Sequence, residues 1–128
     1  MRHDESDADD KGGTKRSRFL LLAFALFVTV AATSLLPTQD KHRLHTQGLL
    51  HPWLHIGAFC VLTFLLFSGV RSPLARVVIF LAMLAFGWGS EFAEHLNDQW
   101  PIESRDVLLD SAGTSLGAIL GVFLRFRS

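Results

Sequence analysis

A chain of 128 residues has room for one compact domain and no more. Its twelve Lys and Arg balance twelve Asp and Glu, so the charge points neither to nucleic acid nor to a strongly acidic partner. Apolar residues make up 49% of it, with eleven Phe and no Tyr, and the mean hydropathy of +0.32 averages a polar leader with much greasier segments.

The leader, Met1–Ser17, carries Asp4, Glu5, Asp7, Asp9 and Asp10, then Gly12-Gly13 and a basic cluster. Having almost no apolar residues to bury, residues 1–17 are expected as a disordered cytoplasmic tail. The first apolar run, Phe19–Leu36, has no charge. At about 1.5 Å per residue it reaches roughly 27 Å, close to the roughly 30 Å of a bilayer's hydrocarbon. Pro37 ends it, because proline cannot continue a helical ladder. A cleaved signal peptide is the competing reading, with Lys15, Arg16 and Arg18 as its basic region and Val30-Ala31-Ala32 as its cleavage site. The long leader and the spanning length favour a retained helix.

Further apolar runs cover Leu49–Val70, Leu74–Ser90 and Val107–Phe126. A soluble bundle needs polar outer faces, and none occurs from Ala58 to Phe67 or from Val77 to Trp88. The expected fold is therefore all-α, an integral membrane bundle of four transmembrane helices over residues 18–128. Lys11, Lys15, Arg16, Arg18, Arg71, Arg76, Arg125 and Arg127 fall on one side of it, against Lys41, Arg43 and Arg105 on the other. The positive-inside rule makes both termini cytoplasmic and the Thr38–Gly48 and Asn97–Arg105 loops external. Asp40-Lys41-His42-Arg43 reads as a solvated loop, and Trp53, Trp88 and Trp100 as interfacial anchors. Cys60 is alone and makes no internal disulfide.

The ionisable residues that intrude on these runs are informative. Asp106, Asp110, Gly113, Gly117 and Gly121 fall on one stripe of the fourth span. The glycines form a small-residue seam for helix packing, so the two aspartates on the same line also face protein. Glu91, Glu94 and His95 close the third span at i,i+3 and i,i+4 spacing; His51 and His55 open the second, four apart. His55, Glu91, Glu94, Asp106 and Asp110 are the expected polar cluster, at the outer mouth of the bundle. His51 and His95 are at span ends, where an interfacial role suffices.

Three elements in order carry a resemblance: His55-Ile-Gly-Ala-Phe59-Cys-Val-Leu62, Glu91-Phe-Ala-Glu94, and Asp106-Val-Leu-Leu-Asp110-Ser-Ala-Gly113-Thr-Ser-Leu-Gly117. Together they resemble the VanZ-like membrane proteins, small proteins of about four spans, over roughly Leu36 to the C-terminus. Glu94 stands where that family has Gln, and Asp110 where it has Asn, so this cluster is more acidic. His51-Pro52 replaces the family's Asp-Lys, and the family's Arg near position 100 has its nearest counterpart in Arg105. The resemblance implies a multi-pass protein of the bacterial plasma membrane, acting in the cell envelope, with a link to tolerance of teicoplanin-type glycopeptides.

Three functions remain open. One is an outward pocket for a lipid-linked envelope precursor or another anionic head group, which this many acids would welcome only through a bridging cation. Another is a metal-dependent membrane hydrolase drawing on His55, Glu91, Glu94, His95 and Asp110. The last is an accessory subunit whose buried acids set helix packing. The chain has neither the zincin H-E-x-x-H nor the paired E-x-x-H of di-iron bundles, so no metal or cofactor is expected and an enzyme is the less favoured reading. Four spans are few for an autonomous transporter, so that role would require a homo-oligomer or a partner.

Overall fold

The structure is a computed structural model and describes residues 3–34, 50–98 and 101–126. Among the described residues there are four helices: α1, His3–Ser34; α2, His51–Gly69; α3, Pro73–Asp98; and α4, Ser104–Phe126. Each contains a stretch long and apolar enough to cross a membrane, namely Gly13–Thr33, His51–Gly69, Pro73–Asn97 and Ser104–Arg125. Leu36-Pro37, the Thr38–Gly48 loop and Trp100 lie outside the described residues.

α1 begins at His3 and so includes the polar leader from residue 3 onward. Extending a helix adds one hydrogen bond for each residue fixed, whereas starting one must order several for the first bond. The apolar span supplies the nucleus from which the polar leader continues. At the other junctions, proline occupies the first turn of α2 and of α3, where its missing N–H costs nothing. Ser72 receives the Ala75 N–H on its Oγ at 3.4 Å and caps α3. Only Val70, Arg71 and Ser72 separate α2 from α3, which forces them to run antiparallel.

The burial pattern is inverted relative to a soluble protein. Leu21, Phe24, Val28, Leu74, Val78, Leu81, Leu108, Ile119 and Phe123 are exposed on the outside, whereas Thr63, Thr114, Asp106, Asp110 and Glu91 are buried. An apolar exterior around polar interior groups suits a lipid surround, where outward side chains lose nothing by staying apolar. Ser68, Ser111 and Ser115 donate their hydroxyls to the carbonyl one turn back, so they need no partner in lipid.

α2 and α4 run parallel and share the closest interface in the bundle. Its cause is the glycine seam, whose three members are all buried. A methyl at Gly113 would meet the Ile56 carbonyl oxygen at 2.5 Å, one at Gly117 would collide with the Cys60 carbonyl oxygen, and one at Gly121 would meet Phe67 Cβ at 2.8 Å. The missing side chains let the two backbones approach, as in other small-residue membrane interfaces. Beside this seam, Ala23 of α1, Phe59 and Leu62 of α2 and Met83 of α3 form the apolar core. Phe86 stacks on Phe59 at 5.6 Å and meets Phe27 at 4.7 Å, joining α1, α2 and α3.

Gly57, also on α2, has open space around it. Gly117→Ala should therefore destabilise the detergent-solubilised protein by about 1–3 kcal/mol through overpacking, while Gly57→Ala leaves it unchanged or slightly more stable. Thermal unfolding of the two variants, followed by size exclusion, measures the contrast.

Candidate functional site

The α2–α4 register that the glycines fix also aligns the polar residues above them. His51 and His55 occupy one face of α2; Asp106 and Asp110 occupy one face of α4 with the same spacing of four. Parallel helices in register bring them together as two rungs. His51 Nε2 lies 2.8 Å from Asp106 Oδ2, and His55 Nδ1 lies 2.7 Å from Asp110 Oδ1. With the carboxylates ionised, the imidazole N–H groups are the donors. A diagonal contact, His55 Nε2 to Asp106 Oδ2 at 3.8 Å, links the rungs, and the two imidazoles meet edge to face at 4.5 Å.

Burial decides how much these pairs matter. Asp106 is 4% exposed and Asp110 is 1% exposed, and an aspartate facing hydrocarbon costs about 2.5–3.5 kcal/mol on insertion scales. Asp110 sits where three helices meet, because Gly87 of α3 leaves room for it: a methyl there would lie 3.0 Å from Asp110 Cβ. Among the described residues its Oδ2 has no hydrogen-bond partner, and neither do the buried Thr114 hydroxyl one turn along α4 and the Thr63 hydroxyl of α2. A column of unspent polar capacity thus runs inward from the rungs.

Glu91 arrives from α3. It is 5% exposed, and its Oε2 accepts the Glu103 backbone N–H at 3.3 Å. Glu103 in turn provides the carbonyl for the first turn of α4, accepting from Asp106 N at 2.9 Å. Glu91 therefore fastens the segment entering α4 to α3 and helps to place Asp106. Glu94 is half-buried, within electrostatic reach of Glu91 and Asp110. His95 is exposed at the end of α3.

Of the residues expected as a cluster, His55, Glu91, Asp106 and Asp110 converge, with Glu94 at the margin. His51, given an interfacial role from the sequence, is a full member. The signal for it was the shared spacing of four on α2 and α4, which becomes decisive only once the two helices are known to be neighbours in register.

The opposite end of the bundle has the opposite character. A cavity of about 580 Å³ is lined there by Lys15, Arg16, Arg71, Arg76 and Arg125, with Phe19, Phe64 and Phe67 as its apolar wall. Arg76 Nη2 and Arg125 Nη1 both donate to the Val70 carbonyl, at 3.1 and 3.4 Å, satisfying an orphan acceptor at the end of α2. Since Lys15 of α1 and Arg125 of α4 share this cavity, the first and last spans bring their chain-terminal ends to the same end of the bundle.

No family model matches this chain, and no curated protein or solved structure matches it significantly.

If the rungs are coupled pairs, His55→Ala and Asp110→Ala should each destabilise the protein by about 1–3 kcal/mol, since each strands a buried partner. The double variant should fall short of their sum by about 0.5–3 kcal/mol. A double-mutant cycle on denaturation in mild detergent reads the difference; additivity would show that the contact carries no energy.

Proposed function

We propose that this chain is a multi-pass plasma-membrane protein of the VanZ-like kind, acting in the bacterial cell envelope. Its His/Glu/Asp cluster faces the outside and binds the polar head of a lipid-linked envelope precursor. The observation that supports this reading best is the convergence of His51, His55, Glu91, Asp106 and Asp110 at one end of the bundle. Intramembrane ionisable groups are costly and ordinarily mark a site. The basic side chains gathered at the other end favour a cytoplasmic location for that end, which turns the cluster outward. A head group approaching along the membrane surface would meet His51 first, the more open member of its pair, with its side chain 33% exposed.

The resemblance adds the biological setting, an envelope function linked to tolerance of teicoplanin-type glycopeptides. A carrier for sequestering or presenting a precursor needs affinity and an open mouth but no nucleophile. Cys60, the one thiol, lies two turns inside α2 among apolar neighbours and away from the cluster. The accessory-subunit reading assigns the same buried acids to packing alone.

Two measurements test the proposal. In a Cys60→Ala background, a cysteine replacing Glu103 should react with a membrane-impermeant maleimide on intact cells. One replacing Arg71 should react only after permeabilisation; the reverse pattern would turn the cluster inward and overturn the reading. Separately, lipid mass spectrometry of the full-length protein purified from its native membrane should find a lipid-linked precursor enriched with the wild type. Enrichment should fall at least tenfold with Glu91→Gln or Asp110→Asn at equal membrane abundance. Unchanged enrichment in both variants, or none in the wild type, would remove the ligand site and leave the packing role.

A further inference from the structure

The geometry points to a divalent metal site of the zinc class, formed by His51 Nε2, His55 Nε2 and Asp106 Oδ2, with Asp110 as the residue that orients His55. One ligand atom from each of His51, His55 and Asp106 lies within 4.8 Å of the others, close enough to share one ion after small side-chain rotations. Two histidines four apart on one helix face are the spacing by which helices present imidazole pairs to zinc. A carboxylate from a neighbouring helix completes a three-ligand set of the kind that leaves a coordination position open. Two imidazoles and a single carboxylate favour zinc and its first-row neighbours over magnesium or calcium, which take oxygen donors.

Asp110 distinguishes this arrangement from a chance meeting of side chains. It accepts a hydrogen bond from the Nδ1–H of His55 at 2.7 Å, which favours the tautomer whose Nε2 lone pair is available. That nitrogen points towards Asp106, 3.8 Å away. A carboxylate on the far nitrogen of a histidine is the usual outer partner of a metal-bound imidazole. His51 shares its Nε2 proton with Asp106 at 2.8 Å; a metal ion would take that proton's place, as metal entry at histidine does generally.

Electrostatics argue in the same direction. Glu91, Asp106 and Asp110 are all buried, so each one that ionises adds a negative charge with little solvent to screen it. A divalent ion offsets that charge and gives an arriving anion a local positive point of attachment. An otherwise acid-rich pocket thereby acquires a binding point for a phosphate oxygen. This last role, as a bridge to a lipid-linked phosphate, rests on the function proposed above; binding of the ion itself does not.

The test uses the full-length protein in detergent, stripped with chelator and reloaded with zinc alone. After desalting, elemental analysis should find close to one zinc per chain, and cobalt loading should give visible absorption bands of a low-symmetry, four- or five-coordinate site. His51→Ala, His55→Ala and Asp106→Asn should each weaken zinc binding at least tenfold, and Asp110→Asn by about 10–100-fold. His95→Ala, at the exposed end of α3, should leave it unchanged. Where an alanine variant elutes as aggregate, His51→Gln and His55→Gln take its place, keeping a polar side chain of similar reach. Less than a tenth of an equivalent in the wild type, or full loading of the His51 and His55 variants, would overturn the site. Because no lipid enters this experiment, its failure would leave the precursor reading to be decided by mass spectrometry, and failure there would leave the zinc result intact.

Discussion

A carboxylate cannot face hydrocarbon cheaply, and the rest of this structure follows from where that restriction sends Asp106 and Asp110. Both lie on the stripe of α4 that continues as Gly113, Gly117 and Gly121, so the face that must avoid lipid is also the face with the least bulk. A helix with such a stripe has one way to bury it, which is to press it against another backbone. α2 provides that backbone, and its own polar residues are spaced to receive the aspartates. Packing and polarity thus specify the same interface from opposite ends of it. Agreement of this kind across levels is what gives a short sequence a single arrangement.

The same interface explains why the cluster lies at the end of the bundle and not in its middle. The glycine contacts occupy the inner half of α2 and α4, where only van der Waals packing is available. The His–Asp rungs occupy the first turns of both helices. Glu91 adds a third helix by holding the backbone at Glu103, and Gly87 makes space for Asp110. Three helices therefore place the carboxylates, and few side-chain motions can relax them. Such support is what a site needs if its geometry is to persist in a fluid bilayer.

Much of this was legible in the sequence. Four helices follow from run length and the absence of polar outer faces, and the stripe on α4 follows from spacings of four and three. The alignment of α2 with α4 was not legible. In an up-and-down arrangement these helices are second neighbours, and no local pattern says that they touch. Helical spacing grouped Glu91, Glu94 and His95, but spacing alone does not say which way a face is turned, and the bundle buries Glu91 while leaving His95 outside. The pairing of His51 with Asp106 is hidden in the sequence for a related reason. A histidine at a span end is cheap to solvate, and only an opposing aspartate gives it a task.

Helix registry alone would be a sufficient reason for one buried polar pair, since a single misplaced polar group can disqualify every other alignment. Here that task is already done. Shifting α4 along α2 would move Gly113, Gly117 and Gly121 away from the carbonyls and the phenylalanine they accommodate and put bulkier neighbours in their places. The glycine contacts by themselves favour this register, and apolar replacements of buried polar pairs often stabilise an interface. Keeping two aspartates and a glutamate there, with no hydrogen bond to Asp110 Oδ2 among the described residues, costs stability beyond what packing requires. That surplus, next to imidazoles at one end of the bundle, is what the proposed ligand site would account for.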